Sequence, residues 1–325
     1  MRAAMAAAAS VRANTSPNPW VGAVVIDRDG TLISTGATAP PGGPHAEVVA
    51  LDAAGDQDLS EAILVVTLEP CSHHGRTPPC TDMIIERGVG RVVVGSLDPD
   101  PAVSGSGLAA LRSAGVEVLE GVLNDEVTEQ LAAYLHHRRT GRPYVVLKMA
   151  ASVDGRVAAP DGDSVWITGD EARRDVHRLR AESDVIIVGS GTIRVDDPQL
   201  TVRDVDGPDP RRIVLGSVAE HAQVNPCEVY RGDPGELLDR LGADGVVQVL
   251  VEGGPTVAAL WHESGLIDRY VLYLAPVIFG GNSAREMFAG DSAGTMAELW
   301  RGKLVAVQRF GDDVRVDIVP RTDVE

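Results

Sequence analysis

His45 and Glu47 stand two residues apart, and Cys71 and Cys80 follow 24 and 33 residues after Glu47. One imidazole and two thiols make a three-ligand set, and a catalytic zinc takes three protein ligands plus a water. Zinc lowers the pKa of such a water toward about 7, which provides a nucleophile at neutral pH. Expelling an amine also needs a proton carrier, and Glu47 is the carboxylate at hand. Residues two apart do not share a helix face. His45 and Glu47 therefore converge only in the irregular first turn that follows Pro44. Pro78-Pro79 set Cys80 at a helix start as well, which favours its thiolate. Read singly, the thiols are core residues and His45 is a helix cap; read together they are a metal site. A second pattern is VEGGPT (251–256), a buried strand running into Gly253, Gly254 and Pro255. The glycines admit close backbone approach, Pro suits a first helical position, and the helix start offers N–H groups to a phosphate. A strand–turn–helix without a ligand has the same pattern. A Rossmann fingerprint is absent: after Gly189-Ser190-Gly191-Thr192, position 194 is Arg.

The elements that would position these residues are legible from periodicity. An Ala-rich helix opens the chain, and VGAVVID (21–27), a turn at Arg28-Asp29-Gly30 and a strand near Leu32 follow. A helix is predicted over 45–54, a buried strand over 63–70, a helix over 80–87 and strands over 91–95 and 116–120. Helices at 105–114 and 124–139 complete this half, and the alternation predicts a largely parallel sheet covered on both faces. Thr140-Gly141-Arg142-Pro143 is a breaker cluster, so domains are expected over 1–142 and 143–325. The second half alternates again: strands at 144–150, 184–189, 211–217, 246–254 and 269–276, with helices at 169–182, 234–242 and 255–265. The runs 303–310 and 313–319 read as a hairpin.

The 325 residues supply two domains at ~150 each. At 44% hydrophobic and 23% charged residues, global disorder is excluded. A net charge of −18 opposes nucleic acid and anionic membranes as partners. Local arginines still admit a small phosphorylated substrate. Three cysteines make no extracellular disulfide framework and fit a reducing cytoplasm. The Ala/Met start is read as a helix rather than an export signal, and no apolar run is long enough to span a membrane.

H-x-E, then P-C, then a Cys at a helix start resembles the zinc-dependent cytidine/deoxycytidylate deaminase superfamily. The chain departs from the common P-C-x-x-C, because SHHGRTPP separates the two Cys. With Ser16-Pro17-Asn18-Pro19 and Pro44-His45-Ala46-Glu47-Val48, the segment LEPCSHHGRTPPC (68–80) resembles the deaminase half of the bacterial bifunctional riboflavin-biosynthesis deaminase/reductases. The segments 147–158, 164–203 and 250–281 are similar to the reductase half, whose fold is similar to dihydrofolate reductase. The resemblance weakens over 204–245 and after 285. It implies a cytidine-deaminase-like α/β/α sandwich followed by a dihydrofolate-reductase-like α/β domain.

The resemblance also implies roles. His45, Cys71 and Cys80 would hold one zinc per chain, Glu47 would move protons, and Asn18 would contact substrate. The loop carrying His73 and His74 would be a lid rather than a source of further ligands. NADPH contacts are implied at Ala150, Trp166, Thr192, Asp196, Ser217 and the run Gly254, Pro255, Thr256, Val257, Ala258, Ala259 and Leu260. Substrate contacts are implied at Lys148, Ser164, Arg180, Leu200, Arg203 and Glu252, with Arg180 and Arg203 suited to pair with a phosphate. Asp196, Lys148 and Glu252 are the candidates for the reductase proton, and Asp196 is taken as the catalytic one. From its place just before a predicted strand, the pair Arg211-Arg212 is expected to meet the extra phosphate of NADPH. Hydrolytic deamination of a diaminohydroxyphosphoribosylaminopyrimidine, then reduction of the ribosyl chain, is the implied function of a homodimer or higher homo-oligomer. Two alternatives are a nucleic-acid-editing deaminase with an accessory domain, and a deaminase whose second half is a non-catalytic binding or oligomerisation module.

Overall fold

The computed structural model describes residues 1–73, 78–100 and 103–321. The chain divides into two compact units, Met1–Arg142 and Pro143–Glu325.

In chain order the first unit holds α1 (Arg2–Thr15), β1 (Gly22–Ile26), β2 (Leu32–Ala37), α2 (Ala46–Ala53), β3 (Ile63–Leu68), α3 (Cys80–Glu86), β4 (Arg91–Ser96), α4 (Ser106–Ser113), β5 (Glu117–Leu119), α5 (Asn124–Gln130) and α6 (Ala132–Thr140). Its sheet runs β2-β1-β3-β4-β5. The expectation of a largely parallel sheet is corrected here. β1 lies antiparallel to both β2 and β3, and only β3-β4-β5 are parallel. The cause is local. Asp27 accepts the N–H groups of Asp29 and Thr31, and Gly30 takes a φ of 87°, so β1 and β2 close as a hairpin and must be antiparallel. The single helix expected over 124–139 is also corrected: it bends at buried Leu131, which ends α5 and starts α6.

Two close approaches fix the helices on this sheet. A Cβ on Gly22 would lie 1.9 Å from the Ala4 carbonyl oxygen, and one on Gly36 would lie 2.3 Å from that of Ala46. Gly22 pairs with Ala37, the neighbour of Gly36, so the two glycines face opposite sides of the sheet. The Ala-rich α1 therefore covers one face and α2 the other, and α2 carries Glu47 with His45 at its N-cap.

The second unit holds β6 (Tyr144–Ser152), β7 (Arg156–Ala158), α7 (Asp170–Ala181), β8 (Val185–Gly189), α8 (Ser190–Asp196), β9 (Arg211–Leu215), β10 (Glu228–Tyr230), α9 (Pro234–Ala243), β11 (Gln248–Val251), α10 (Pro255–Glu263), β12 (Arg269–Ala275), β13 (Arg285–Glu286), β14 (Gly302–Phe310) and β15 (Asp313–Pro320). The main sheet runs β10-β9-β8-β11-β6-β12-β15-β14. It is parallel from β10 to β12, and the β14–β15 hairpin adds two antiparallel strands. Its core joins Leu147, Ile187, Val249 and Val251 of the sheet to Leu237 and Leu241 of α9 and Trp261 of α10. Among the described residues no helix is long and apolar enough to cross a membrane.

Candidate functional site

In the first unit the ends of three elements meet. His45 is the N-cap of α2 with extended backbone, Cys80 opens α3, and Cys71 lies in the segment after β3. The His45 Nδ1 is 3.1 Å from the Cys80 Sγ and 3.5 Å from the Cys71 Sγ. All three ligand atoms lie within 4.8 Å of one another, the only such group of three among the described residues. Ligands sharing one tetrahedral zinc at bonds of about 2.0–2.3 Å stand roughly 3.5 Å apart, so this donor set fits the metal. His73 is exposed and outside this group; His74 lies outside the described residues.

Glu47 follows in the first turn of α2 and is 4% exposed. Burial pushes its carboxyl up to about 6, against the opposing pull of His45. The thiols correct one expectation. In the metal-free pair the hydrogen bond with Cys80 pulls the Cys71 thiol down, against its burial. Cys80 is pushed up by donating that bond and by its burial. The reason is geometric: the Cys80 main-chain N–H at the start of α3 points 3.4 Å to the Cys71 Sγ. The helix start thus stabilises its neighbour's charge. Asn18 lies in the loop between α1 and β1, partly buried, with its N–H on the Thr15 carbonyl.

In the second unit a charge cluster forms where the parallel strands end. Glu252 follows β11, and Arg180 of α7 grips it through two bonds, Nε to Oε2 at 2.9 Å and Nη2 to Oε1 at 2.8 Å. Lys148 of β6 stands 3.4 Å from Oε1. Burial would raise the Glu252 carboxyl, yet the Arg180 and Lys148 charges outweigh it and hold the group at about 2. The remaining Arg180 Nη1 donates to the Thr201 carbonyl. The Arg180 fork expected to clamp a phosphate is therefore occupied by Glu252. Arg203 keeps an exposed side chain, with Nη1 3.0 Å from the Thr201 Oγ1. Leu200 is buried with φ 56°, in the left-handed region. Sequence reasoning passed over His177 of α7, whose Nδ1 accepts the Arg203 N–H at 3.3 Å. Its signal, a lone His in an amphipathic helix, is indistinguishable from a core residue.

Around these carboxyl ends stand the residues singled out for a dinucleotide. Gly254 is the N-cap of α10 and provides no side-chain cap, which leaves the helix start open to a ligand. A Cβ on Gly253 would lie 2.5 Å from the Val257 Cβ, so α10 packs directly on the strand end. A Cβ on Gly254 would stand 3.7 Å from the Thr192 Oγ1, which places Thr192 of α8 across from the turn. Thr256 to Leu260 form the body of α10, with Ala258 and Ala259 buried and Leu260 exposed. Ala150 lies on β6 and Ser217 just beyond β9. Trp166 is 70% exposed, and with Ser164, Val165 and Ile167 it faces Val277, Ile278 and Phe279 across a cleft of about 340 Å³. Asp196 closes α8; burial raises its carboxyl and a hydrogen bond with Ser164 opposes the rise.

Arg211 and Arg212 sit at the opposite end of the strands from Ser217. Arg211 pairs in register with Val185, at the amino end of β8, about 16 Å along the strand from Gly216. Both are engaged, Arg211 by Glu228 and Asp244, Arg212 by Asp209. The basic groups beside Ser217 and the open strand ends are Arg231, whose Nε donates to the Gly216 carbonyl at 2.7 Å, and Arg194, 3.3 Å from the Ser190 Oγ.

Known proteins are similar to this chain over almost its whole length. Residues 143–316 match a family described as the RibD C-terminal domain, and residues 1–96 match the cytidine and deoxycytidylate deaminase zinc-binding region. Riboflavin biosynthesis protein RibD of Mycobacterium tuberculosis is 42% identical over 96% of this chain and 94% of its own. The protein of the same name from Escherichia coli K12 is 37% identical over 95% of each. Among solved structures, Acinetobacter baumannii RibD is 37% identical and superposes with a TM-score of 0.89 over 99% of this chain and 98% of its own. A Thermotoga maritima diaminohydroxyphosphoribosylaminopyrimidine deaminase/5-amino-6-(5-phosphoribosylamino)uracil reductase is 36% identical, with a TM-score of 0.88 over 99% of this chain and 97% of its own.

Proposed function

The chain belongs to the RibD family of bifunctional riboflavin-biosynthesis deaminase/reductases, and we propose that its two clusters divide the family's two reactions between them. The first unit deaminates a diaminohydroxyphosphoribosylaminopyrimidine by hydrolysis. The second reduces the ribosyl group of the resulting aminouracil to ribityl with NADPH. The observation that carries the reading is the convergence of His45, Cys71 and Cys80 beside a buried carboxyl, Glu47, in a chain that also carries the reductase unit. The test is incubation of purified protein with the diamino substrate, with and without NADPH, and mass spectrometry of the products. Ammonia loss in both samples and gain of hydrogen only with NADPH support it. Unchanged substrate overturns it, and deamination without reduction leaves the second half a binding module.

In the deaminase unit, His45, Cys71 and Cys80 would hold one zinc. Bound there, zinc supplies an acidified water. Glu47 takes one proton from the attacking water and passes it to the ring nitrogen, then takes the second from the newly added hydroxyl and passes it to the amine, so that the C–N bond breaks, ammonia leaves and the carbonyl forms. Asn18 contacts the pyrimidine. Elemental analysis is expected to find one zinc per chain in the wild type and in Cys227→Ser, and none in Cys71→Ser. Full deaminase activity in metal-free protein would end the zinc reading.

In the reductase unit, Ala150, Trp166, Thr192, Ser217 and the turn from Gly254 into α10 would hold the dinucleotide, which supplies hydride. Lys148, Ser164, Leu200 and Arg203 contact the substrate. Arg180 holds Glu252 in place for it. Of the three proton candidates, Arg180 and Lys148 hold the Glu252 carboxyl low against its burial, while burial raises that of Asp196. Asp196 is accordingly the proton donor in this reading. A fragment of residues 143–325 is expected to fold alone and to bind NADPH more tightly than NADH. Arg231→Ala should weaken NADPH by about tenfold, the loss of one charge-assisted bond, while sparing NADH. Equal binding of the two cofactors by the wild-type fragment would refute the cofactor choice.

The edge strand β14 exposes Leu304 and Val307, and Trp300 precedes it. A second copy of the chain is the occupant assigned to it, and sedimentation that finds only monomer at micromolar concentration counts against this. The reducing cytoplasm fits a site built on free thiols.

A further inference from the structure

His45 and Cys80 are each fixed by the helix they start. Cys71 belongs to no helix or strand, so its position needs another anchor. The structure provides one on each side of it. Two residues before, Glu69 is 4% exposed, and its carboxylate accepts four main-chain N–H groups. Oε1 receives Gly107 at 3.0 Å and Leu108 at 3.4 Å, and Oε2 receives Gly105 at 3.0 Å and Asp98 at 3.4 Å. One residue after Cys71, the Ser72 Oγ lies 2.7 Å from the Ser106 Oγ. Gly105 is the N-cap of α4, and residues 106–108 are its first turn. Both tethers therefore run to the same helix start. A Cβ on Gly107 would lie 2.0 Å from the Pro70 carbonyl, so that helix start presses on the ligand segment itself.

The residue type follows from the donors. The N–H groups of a first helical turn have no partner within the helix, and a carboxylate answers them with both oxygens and with favourable charge. A Gln in its place offers one oxygen, and its NH2 group meets the remaining N–H donors head-on.

We propose that Glu69, assisted by Ser72, is the positioning residue for the Cys71 sulfur, tying the ligand segment to α4 so that Cys71 stays within reach of His45 and Cys80. The proposal rests on the zinc reading above. The hydrogen bonds of both side chains run to α4 and to Asp98 rather than to the ligand atoms, so both act through the main chain on either side of Cys71.

The test uses the full chain, stripped with a chelator and reloaded with zinc or cobalt(II). Glu69→Gln is expected to bind zinc about tenfold more weakly or worse, the scale seen when the support of a metal ligand is lost. Its cobalt(II) thiolate charge-transfer band should shift, and deaminase kcat should fall more than KM rises. Ser72→Ala should move each readout in the same direction by less. A purely structural role would lower the melting temperature and leave the cobalt spectrum and zinc affinity of the folded protein unchanged. That result in Glu69→Gln overturns the proposal. If Glu69→Gln does not fold, Ser72→Ala and Ser106→Ala decide: faster zinc loss to the chelator upholds it, and wild-type loss in both overturns it. If wild-type protein takes up no zinc, the site reading itself has failed and the proposal falls with it.

Discussion

Glu47→Gln protein is expected to retain its zinc and to lose deamination by roughly 10²–10⁴-fold, the contribution of a positioned acid/base. The ligand atoms belong to His45, Cys71 and Cys80, so the substitution leaves the donor set intact. It removes the buried carboxyl proposed to take and return the proton. Gln matches Glu in size, so the buried pocket in the first turn of α2 keeps its packing. Consumption of NADPH should continue when the deaminated intermediate is supplied directly, because the reductase residues lie in the other unit. Ammonia release measured beside elemental analysis checks the claim. A rate within a few-fold of wild type, with zinc in place, would remove Glu47 from the mechanism.

Glu252→Gln is expected to destabilise the second unit by about 3 kcal/mol, because it leaves the buried Arg180 without its counter-charge. For a unit of this size that lowers the melting temperature by roughly 6–12 °C. The pH dependence has a definite sign. Glu252 is held at about 2 in the folded protein against an ordinary value of 4.5. Its contribution is complete above 4.5 and is lost as the pH falls from there toward 2. The variant should therefore melt lower at neutral pH, and the gap to wild type should close in acid. The side chain is only 14% exposed, so solvent screening removes little of the effect. Melting temperatures between pH 2 and 7 report both features. Equal melting at neutral pH would show that the pair is not holding the strand ends together. Reductase activity should fall with stability, since Lys148 shares the same carboxylate.

By itself the sequence singled out His45, Cys71 and Cys80 as a set, and the fold brings their ligand atoms within 4.8 Å of one another. It also determined most helices and strands of both units, since apolar periodicity and Gly, Pro and Asp punctuation act over a few residues. Asp233 capping α9 and Gly311 closing the β14–β15 hairpin are examples. What it left open is everything that depends on partners far apart in the chain. The antiparallel placing of β1 beside β3 is a matter of which edges meet, and strand runs look alike in either direction. The end of the sheet to which Arg211 belongs follows from strand direction, which the dipeptide does not reveal. Arg180 reads as a phosphate clamp until Glu252, 72 residues away, fills its fork. Arg315 is similar: it is buried between Asp317 and Asp175, the latter 140 residues away on α7, which also accepts the Tyr273 hydroxyl. Cys80 gained a thiolate on paper from its helix start, and the fold aimed that helix's N–H at Cys71 instead. Charges and hydrogen bonds depend on distance in space, and only the tertiary structure sets those distances.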